Sequence, residues 1–153
     1  MNRFPTLLLC LLLAACGFHP KGTLTALPPH SWQLENAGSL HTALSSALHR
    51  AGASAGGNGA YSLHILAADS KKDIYTITRA AKLNEYLLSL RVSAQARRHG
   101  ENWGDVMTVT VERTLPYADG MVLGKQEEEA LIWQEMQQDA ADQLIRRLAF
   151  LPE

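Results

Sequence analysis

The sequence of 153 residues has little of what marks several protein classes. Lysine and arginine total 14 and aspartate and glutamate total 15, so it lacks the strong basic bias of a general nucleic-acid-binding protein. Two cysteines are too few for a disulfide framework or a cysteine-rich zinc site. Charged residues make up only 19% and hydrophobic residues 46%, which excludes a disordered chain. The length predicts about one domain with a core of its own.

The spacings of common catalytic and metal sites are also scarce. None of the six histidines has the His-x-x-x-His spacing of a zinc site. The glycine-rich residues 56–59 lack the Lys-Ser/Thr that completes a phosphate-binding loop. Glu127, Glu128 and Glu129 diverge on a helix, so they indicate a solvated helix start rather than a paired-carboxylate site. The sequence therefore predicts a protein that is not an enzyme and has no cofactor and no metal.

The one long apolar run lies at the N-terminus, from Leu7 to Ala15 after Arg3. It is shorter than the roughly 20 residues that span a bilayer, but it fits a secretory signal. It ends Leu-Ala-Ala before Cys16, which resembles a bacterial lipobox. The resemblance implies cleavage before Cys16, acylation of Cys16 and, because Gly17 follows, export to the outer membrane. The alternative is an ordinary cleaved signal with a chance cysteine.

This reading divides the chain into three parts. Residues 1–15 are predicted to be the lipoprotein signal peptide. Residues 16–30, with three prolines and no periodicity, are predicted to be the acylated N-terminus and an extended tether. Residues 31–153 are predicted to be a single α+β domain. More than one acyl chain on Cys16 would hold that domain stably at a membrane surface.

Two stretches of the domain have the periodicity of amphipathic helices. Residues 40–51 place their apolar side chains on one face, with Ser39 as the N-cap and Gly52 as the stop. Residues 125–151 contain neither glycine nor proline and carry a second apolar stripe. That stripe consists of Trp133, Met136, Ala140, Leu144, Leu148 and Leu151.

Four stretches alternate as strands do. The first is 31–35, and the second runs from Tyr61 to Thr78 with a bulge or break predicted over the polar residues 69–73. The third has one dry face and one wetter face between residues 85 and 97, and the fourth begins at Met107. The simplest fold is α+β, with two helices packed on one face of a four-stranded, mostly antiparallel but mixed sheet.

A few basic residues stand at positions that suit phosphate binding. Arg79 and Lys82 lie in the connection between the second and third strands, Lys125 opens the last helix, and Arg91 lies on the wetter strand face. Such donors at loops and strand ends can grip a phosphate group. The alternative is a solvated sheet edge with ordinary charges, and the pattern alone favours that alternative.

Three stretches together resemble the LptE family of LPS-assembly lipoproteins. The opening Cys16-Gly17-Phe18 resembles the family's acylated start, and Thr78-Arg79-Ala80-Ala81 resembles its second hairpin. Asp139 to Leu148, reading Asp-Ala-Ala-Asp-Gln-Leu-Ile-Arg-Arg-Leu, resembles its terminal helix. The match runs in order along nearly all of the chain after the signal. The family's two helices on a four-stranded sheet agree with the fold predicted from periodicity.

The resemblance implies a non-enzymatic role in the outer membrane. Family members plug the lumen of an LptD-like outer-membrane β-barrel, assist its assembly and bind lipopolysaccharide during transport to the outer leaflet. Arg79 and Lys125 then become the first candidates for contacts with lipid A phosphates, with Lys82 and Arg91 behind them. No nucleic-acid partner is expected. The alternative is an outer-membrane lipoprotein that binds another apolar ligand or acts as a secretion-partner pilot.

Overall fold

The computed structural model describes residue 27 and residues 30–56, 60–77, 83–116 and 122–151. Within these ranges two helices pack on one face of a mixed sheet, which confirms the predicted α+β class. The elements in order are β1 (Ser31–Glu35), a 3-10 turn (Gly38–Leu40), α1 (His41–Arg50), β2 (Ser54–Ala55), β3 (Tyr61–Ile77), β4 (Leu83–Arg98), β5 (Glu101–Asn102), β6 (Met107–Pro116) and α2 (Val122–Leu148).

The sheet is built around the long hairpin of β3 and β4. These strands are antiparallel from the Tyr61–Arg98 pair to the Ile77–Leu83 pair, and β6 continues the meander on the other side of β4. β1 is parallel to β3, as the crossover through α1 requires. The described ranges contain six strands rather than the predicted four, because β2 and β5 have two residues each, too few to show a periodicity.

The core joins both helices to the inner face of the sheet. Met136, Ala140 and Leu144 on α2 have no exposed surface, which confirms the predicted stripe. The dry face of β4 is buried as predicted, from Leu88 to Ala96. α2 also buries Ala141 and Ile145, since a helix lying on a broad sheet covers a wider face than one narrow stripe.

The predicted start of the first helix is wrong in one detail. Ser39 does not cap α1, because the chain first makes a 3-10 turn in which the Leu40 amide donates to the Ala37 carbonyl at 2.9 Å. The stop is confirmed, since Gly52 has φ of 83°, a left-handed conformation that favours glycine. At the other end of the chain, α2 begins at Val122, three residues before the predicted start.

The polar residues 69–73 are not a break in β3. They pair continuously with β4, and the register shifts lie on either side of them, between Ile65 and Ala67 and between Ile74 and Ile77. β1 follows β3 only as far as His64. Among the described residues, the remainder of β3 therefore has a strand neighbour on one side alone.

Candidate functional site

The structure describes two of the five predicted site residues. Cys16, Arg79 and Lys82 lie outside the described residues, as do the signal and tether boundaries. Lys125 stands in the first turn of α2 and is half-buried. Arg91 stands in the middle of β4 and is exposed.

Lys125 lies at the end of the sheet where the hairpin terminates. Ile77 pairs with Leu83 at this end, and Glu85 pairs with Pro116. Since α2 starts shortly after β6 ends, its first turns share this location. We call the region formed by residues 72–77, 83–86 and 122–129 the hairpin end. The sequence places Arg79 and Lys82 between two strand ends that belong to it.

A second lysine of the hairpin end was missed by the sequence reasoning. The Nζ of Lys72 donates to Oε2 of Glu129 at 2.5 Å and lies 4.4 Å from the centre of the Tyr86 ring. The indole Nε1 of Trp133 donates to the other oxygen of Glu129 at 3.4 Å. The carboxylate of Glu129 thus ties β3 to α2. Lys72 was not recognised as a site residue because residues 69–73 were predicted to be a bulge or break and not a paired part of the strand.

Lys125 and Lys72 are held by neighbouring carboxylates. The Nζ of Lys125 donates to Oε2 of Glu128 at 2.7 Å, and Lys125 stands one helical turn before Glu129 on the same face of α2. Surface ion pairs of this kind contribute about 0–1 kcal/mol each. A phosphate oxygen can therefore replace either carboxylate as the acceptor at little cost.

The hairpin end also carries exposed apolar side chains. Ile74, Tyr75 and Ile77 are 64%, 57% and 63% exposed. Large apolar side chains that stand singly on a surface are ordinary, but three within four positions give the hairpin end apolar groups in addition to its two lysines. Its chemistry suits a ligand that has both phosphate groups and acyl chains.

Arg91 lies on the other side of the molecule. Its neighbours Leu90 and Val92 are buried against the helices, so the alternation of β4 directs Arg91 to the face that no helix covers. Across the strands it stands opposite Asp69 and Thr110. The structure therefore does not bring Arg91 and Lys125 together.

The uncovered face of the sheet is mainly polar, with Ala67 and Leu87 as apolar exceptions among its described positions. Ser93 and Thr108 share a hydroxyl hydrogen bond of 3.1 Å, and Arg97 donates to Glu35 at 3.1 Å. Gln95 is 6% exposed, and its amide donates to carbonyls of the adjoining loop. This face contains Glu35, Ser62, His64, Asp69, Lys71, Ser89, Arg91, Ser93, Gln95, Arg97, Thr108, Thr110 and Glu112.

One sequence pattern resembles a catalytic motif but has the wrong context. Residues 52–56 read Gly-Ala-Ser-Ala-Gly, which has the spacing of a nucleophile elbow. In such an elbow the serine stands on a turn from a strand into a helix. Ser54 instead lies in the short strand β2 that follows α1, so the pattern indicates no hydrolase site.

The chain is similar to lipoproteins of one family. The sequence model of the family LptE, described as "Lipopolysaccharide-assembly", matches residues 28–148. The LPS-assembly lipoprotein LptE of Pectobacterium atrosepticum is 31% identical over 147 residues, covering 90% of this chain and 79% of that protein. In the described ranges, neither helix combines the length and apolar character needed to cross a membrane.

Solved structures show the same fold. A minor lipoprotein from Acinetobacter baumannii superposes with a TM-score of 0.69 at 26% identity, covering 82% of this chain and 96% of the other. An uncharacterized lipoprotein B from Nitrosomonas europaea gives 0.71 at 24% identity, covering 87% and 90%, and supports the fold alone. Family match, relative and fold agree with the resemblance seen in the sequence. The chain therefore belongs to the LptE family of LPS-assembly lipoproteins, and it is not an enzyme.

Proposed function

We propose that this protein is an outer-membrane lipoprotein, acylated at Cys16, that plugs an LptD-like β-barrel, assists its assembly and binds lipopolysaccharide. Membership of the lipopolysaccharide-assembly family indicates the cellular process in which the protein takes part. The observation that carries the binding role is the hairpin end, where Lys72 and Lys125 adjoin three exposed apolar side chains.

Lipopolysaccharide has phosphate groups on an acylated sugar core, so it needs a surface with cations and apolar contacts. Lys125 and Lys72 would take the phosphates by exchanging their carboxylate partners. Arg79 and Lys82 lie in the short connection between Ile77 and Leu83 and would add cations at the same end. Ile74 and its apolar neighbours would contact acyl chains. Arg91, on the uncovered face of the sheet, would contact the barrel wall rather than the lipid.

The uncovered sheet face supports the plug role. The lumen of a wide outer-membrane barrel is polar and holds water. A sheet face rich in serine, threonine and charges of both signs is compatible with a polar, water-filled lumen. An apolar face of this size would instead have to be buried against another apolar surface. The described part of this face has both signs of charge, so it suits a lumen of mixed charge rather than a strongly acidic or basic one.

Co-purification tests this function directly. The chain carries a C-terminal tag, the outer membrane is extracted gently in detergent, and the proteins that co-purify are identified and quantified by mass spectrometry. We expect one large β-barrel protein at about one-to-one stoichiometry, as a C-terminally tagged plug would retain its barrel. Recovery of the lipoprotein without a barrel would contradict the plug role and favour binding of another apolar ligand.

A further inference from the structure

A groove between α1 and α2 is separate from the hairpin end. It has a volume of about 150 Å³ and opens at the surface of the helix layer. Arg50, the last residue of α1, stands at one end of the groove and donates to Asp142 of α2 at 2.6 Å. Gln134, on the α2 wall, stands nine positions after Lys125. That spacing places it about 14 Å further along α2 and on the opposite side of the helix.

The walls of the groove consist mainly of neutral side chains that can form hydrogen bonds. Three hydroxyl groups line the side of α1 and the turn before it, and three carboxamides line the side of α2. These residues are Ser39, Thr42, Ser46, Gln134, Gln137 and Gln138. Within the described part of the chain, none of these six side chains has a hydrogen-bond partner. Since hydroxyls and carboxamides both donate and accept, the groove offers a ligand donors and acceptors on two facing walls.

This lining favours the sugar of lipopolysaccharide over its phosphates and acyl chains. Arg50 is the only charged residue that the described chain contributes to the groove, and its guanidinium is directed to Asp142 at one end. The middle of the groove therefore offers a phosphate group no positive charge. Ala43, which is 8% exposed, is the only apolar residue of the lining, so an acyl chain would find no apolar wall. Sugar hydroxyls need donors and acceptors together, and these the groove supplies.

The size of the groove suits a single sugar unit. A cavity of about 150 Å³ has room for one six-membered ring. The hydroxyl groups of such a ring point outward in several directions, so they can reach both helices at once. An extended peptide also carries donors and acceptors, but at about 3.3 Å or more per residue it would need a longer channel.

We propose that the groove between α1 and α2 binds a neutral sugar unit of the saccharide chain of lipopolysaccharide. The three glutamines of α2 and the three hydroxyl residues on the side of α1 contact the hydroxyl groups of the sugar. This inference rests on the proposed function for its ligand, and it adds a second site for a different part of the same molecule. In the proposed plug, the groove lines the part of the lumen that the saccharide crosses.

Titration with a phosphate-free saccharide tests this site. The full-length lipoprotein, isotopically labelled at its glutamine side chains, is kept in detergent micelles. It is titrated with core oligosaccharide that has been released from lipopolysaccharide and freed of phosphate. We expect shifts in the nuclear magnetic resonance signals of the Gln134, Gln137 and Gln138 carboxamides. Gln126 and Gln143, on the same helix but outside the groove, should show none.

Two double variants connect the signals to binding. In Gln134→Ala with Gln138→Ala, the affinity for the oligosaccharide should fall at least about five-fold through the loss of two hydrogen bonds. Gln126→Ala with Gln143→Ala makes the same chemical change on the same helix and should leave the affinity unchanged. Alanine is a good helix former, so circular dichroism should show α2 intact in both variants.

The remaining outcomes would overturn the proposal. No binding, or an equal loss in the two double variants, would remove the saccharide site. Tighter binding of a peptidoglycan disaccharide than of the oligosaccharide would overturn the assignment to lipopolysaccharide. Loss of the co-purifying barrel from the groove variant, with oligosaccharide binding unchanged, would assign the groove to the barrel wall. Because the probe has no phosphate, the lipid A contacts of the proposed function can fail while oligosaccharide binding stands.

Discussion

Lys72 and Glu129, 57 positions apart in the sequence, form an ion pair of 2.5 Å that joins β3 to α2. The two side chains are about one third and one quarter exposed, so water reaches the pair. The contact couples the half of β3 that has a single strand neighbour to the helix that covers the core. It also places a second cation on the carboxylate that stands one helical turn after Lys125.

Removal of Lys72 should affect ligand binding more than folding. Lys72→Gln removes one solvent-screened ion pair, so the free energy of unfolding should fall by no more than about 1 kcal/mol. Lipopolysaccharide binding by the purified protein should weaken measurably. Lys71→Gln, on the opposite face of β3, is the matched control and should leave binding unchanged. Equal effects of the two changes would remove Lys72 from the site.

Charge reversal at the two leading candidates should weaken lipopolysaccharide binding strongly. Arg79→Asp with Lys125→Asp removes two charge-assisted contacts worth about 1.5–3 kcal/mol each, so affinity should fall at least about ten-fold. Circular dichroism should show an intact fold. Arg50→Asp, which breaks a 2.6 Å surface pair with Asp142 instead, controls for charge. Unchanged binding in the double variant would refute the assignment of these residues.

Acylation should account for membrane attachment. In Cys16→Ser the only predicted acylation site is lost, and we expect the protein to be missing from the washed outer-membrane fraction. A single acyl chain binds only marginally, whereas two or more anchor stably, so the loss should be nearly complete. Cys10→Ser, a change within the predicted signal, is the control. Normal membrane recovery of Cys16→Ser would contradict the lipoprotein assignment.

The core contact between α2 and the sheet should be costly to remove. Leu144 has no exposed surface, so Leu144→Ala should lower the free energy of unfolding by about 2–5 kcal/mol through lost burial and a cavity. Leu131→Ala, at a position that is 56% exposed on the same helix, should change it by less than about 0.5 kcal/mol. Urea denaturation of both variants measures the difference.

Gly104 should be more sensitive than Gly52 to the same change. Both have φ in the left-handed range, at 72° and 83°, so alanine strains the backbone similarly in each. A Cβ at Gly104 would also stand 2.5 Å from Cδ2 of Leu151, while a Cβ at Gly52 meets nothing within 4 Å. Gly104→Ala should therefore lower the melting temperature further than Gly52→Ala. Equal falls in melting temperature for the two variants would mean that the Leu151 side chain moves aside at no measurable cost in stability.

The order of elements and the core could be predicted because burial imposes a period on the sequence. Leu88 and Val92 face the helices as their alternation predicts, and Met136 and Leu144 share the predicted stripe. Elements of two residues have no period, so Ser54–Ala55 and Glu101–Asn102 could not be foreseen. The resemblance to the family came from short sequence motifs, and the fold alone would not have identified the family.

Lys72 shows why simple alternation along the sequence does not always predict the sheet face on which a strand residue lies. Leu63 and Ile65 face the helices, and strict alternation from them would direct Lys71 inward. The register shift after Ile65 reverses the parity, so Lys72 faces α2 instead. A bulge of this kind leaves no clear mark in the sequence. The basic residue that pairs with Glu129 therefore became visible only in the structure.

The length of β3 sets a molecular distance. Its 17 residues extend over about 55 Å, and a bilayer with its headgroups is about 40–45 Å thick. The hairpin therefore separates Tyr61 from Ile77 by more than a membrane's width. A hairpin that stands upright in a barrel lumen, as the plug role requires, would therefore reach from the level of one headgroup layer to the level of the other. Deletion of paired residues from the middle of β3 and β4 would shorten this reach while the residues of the hairpin end stay unchanged.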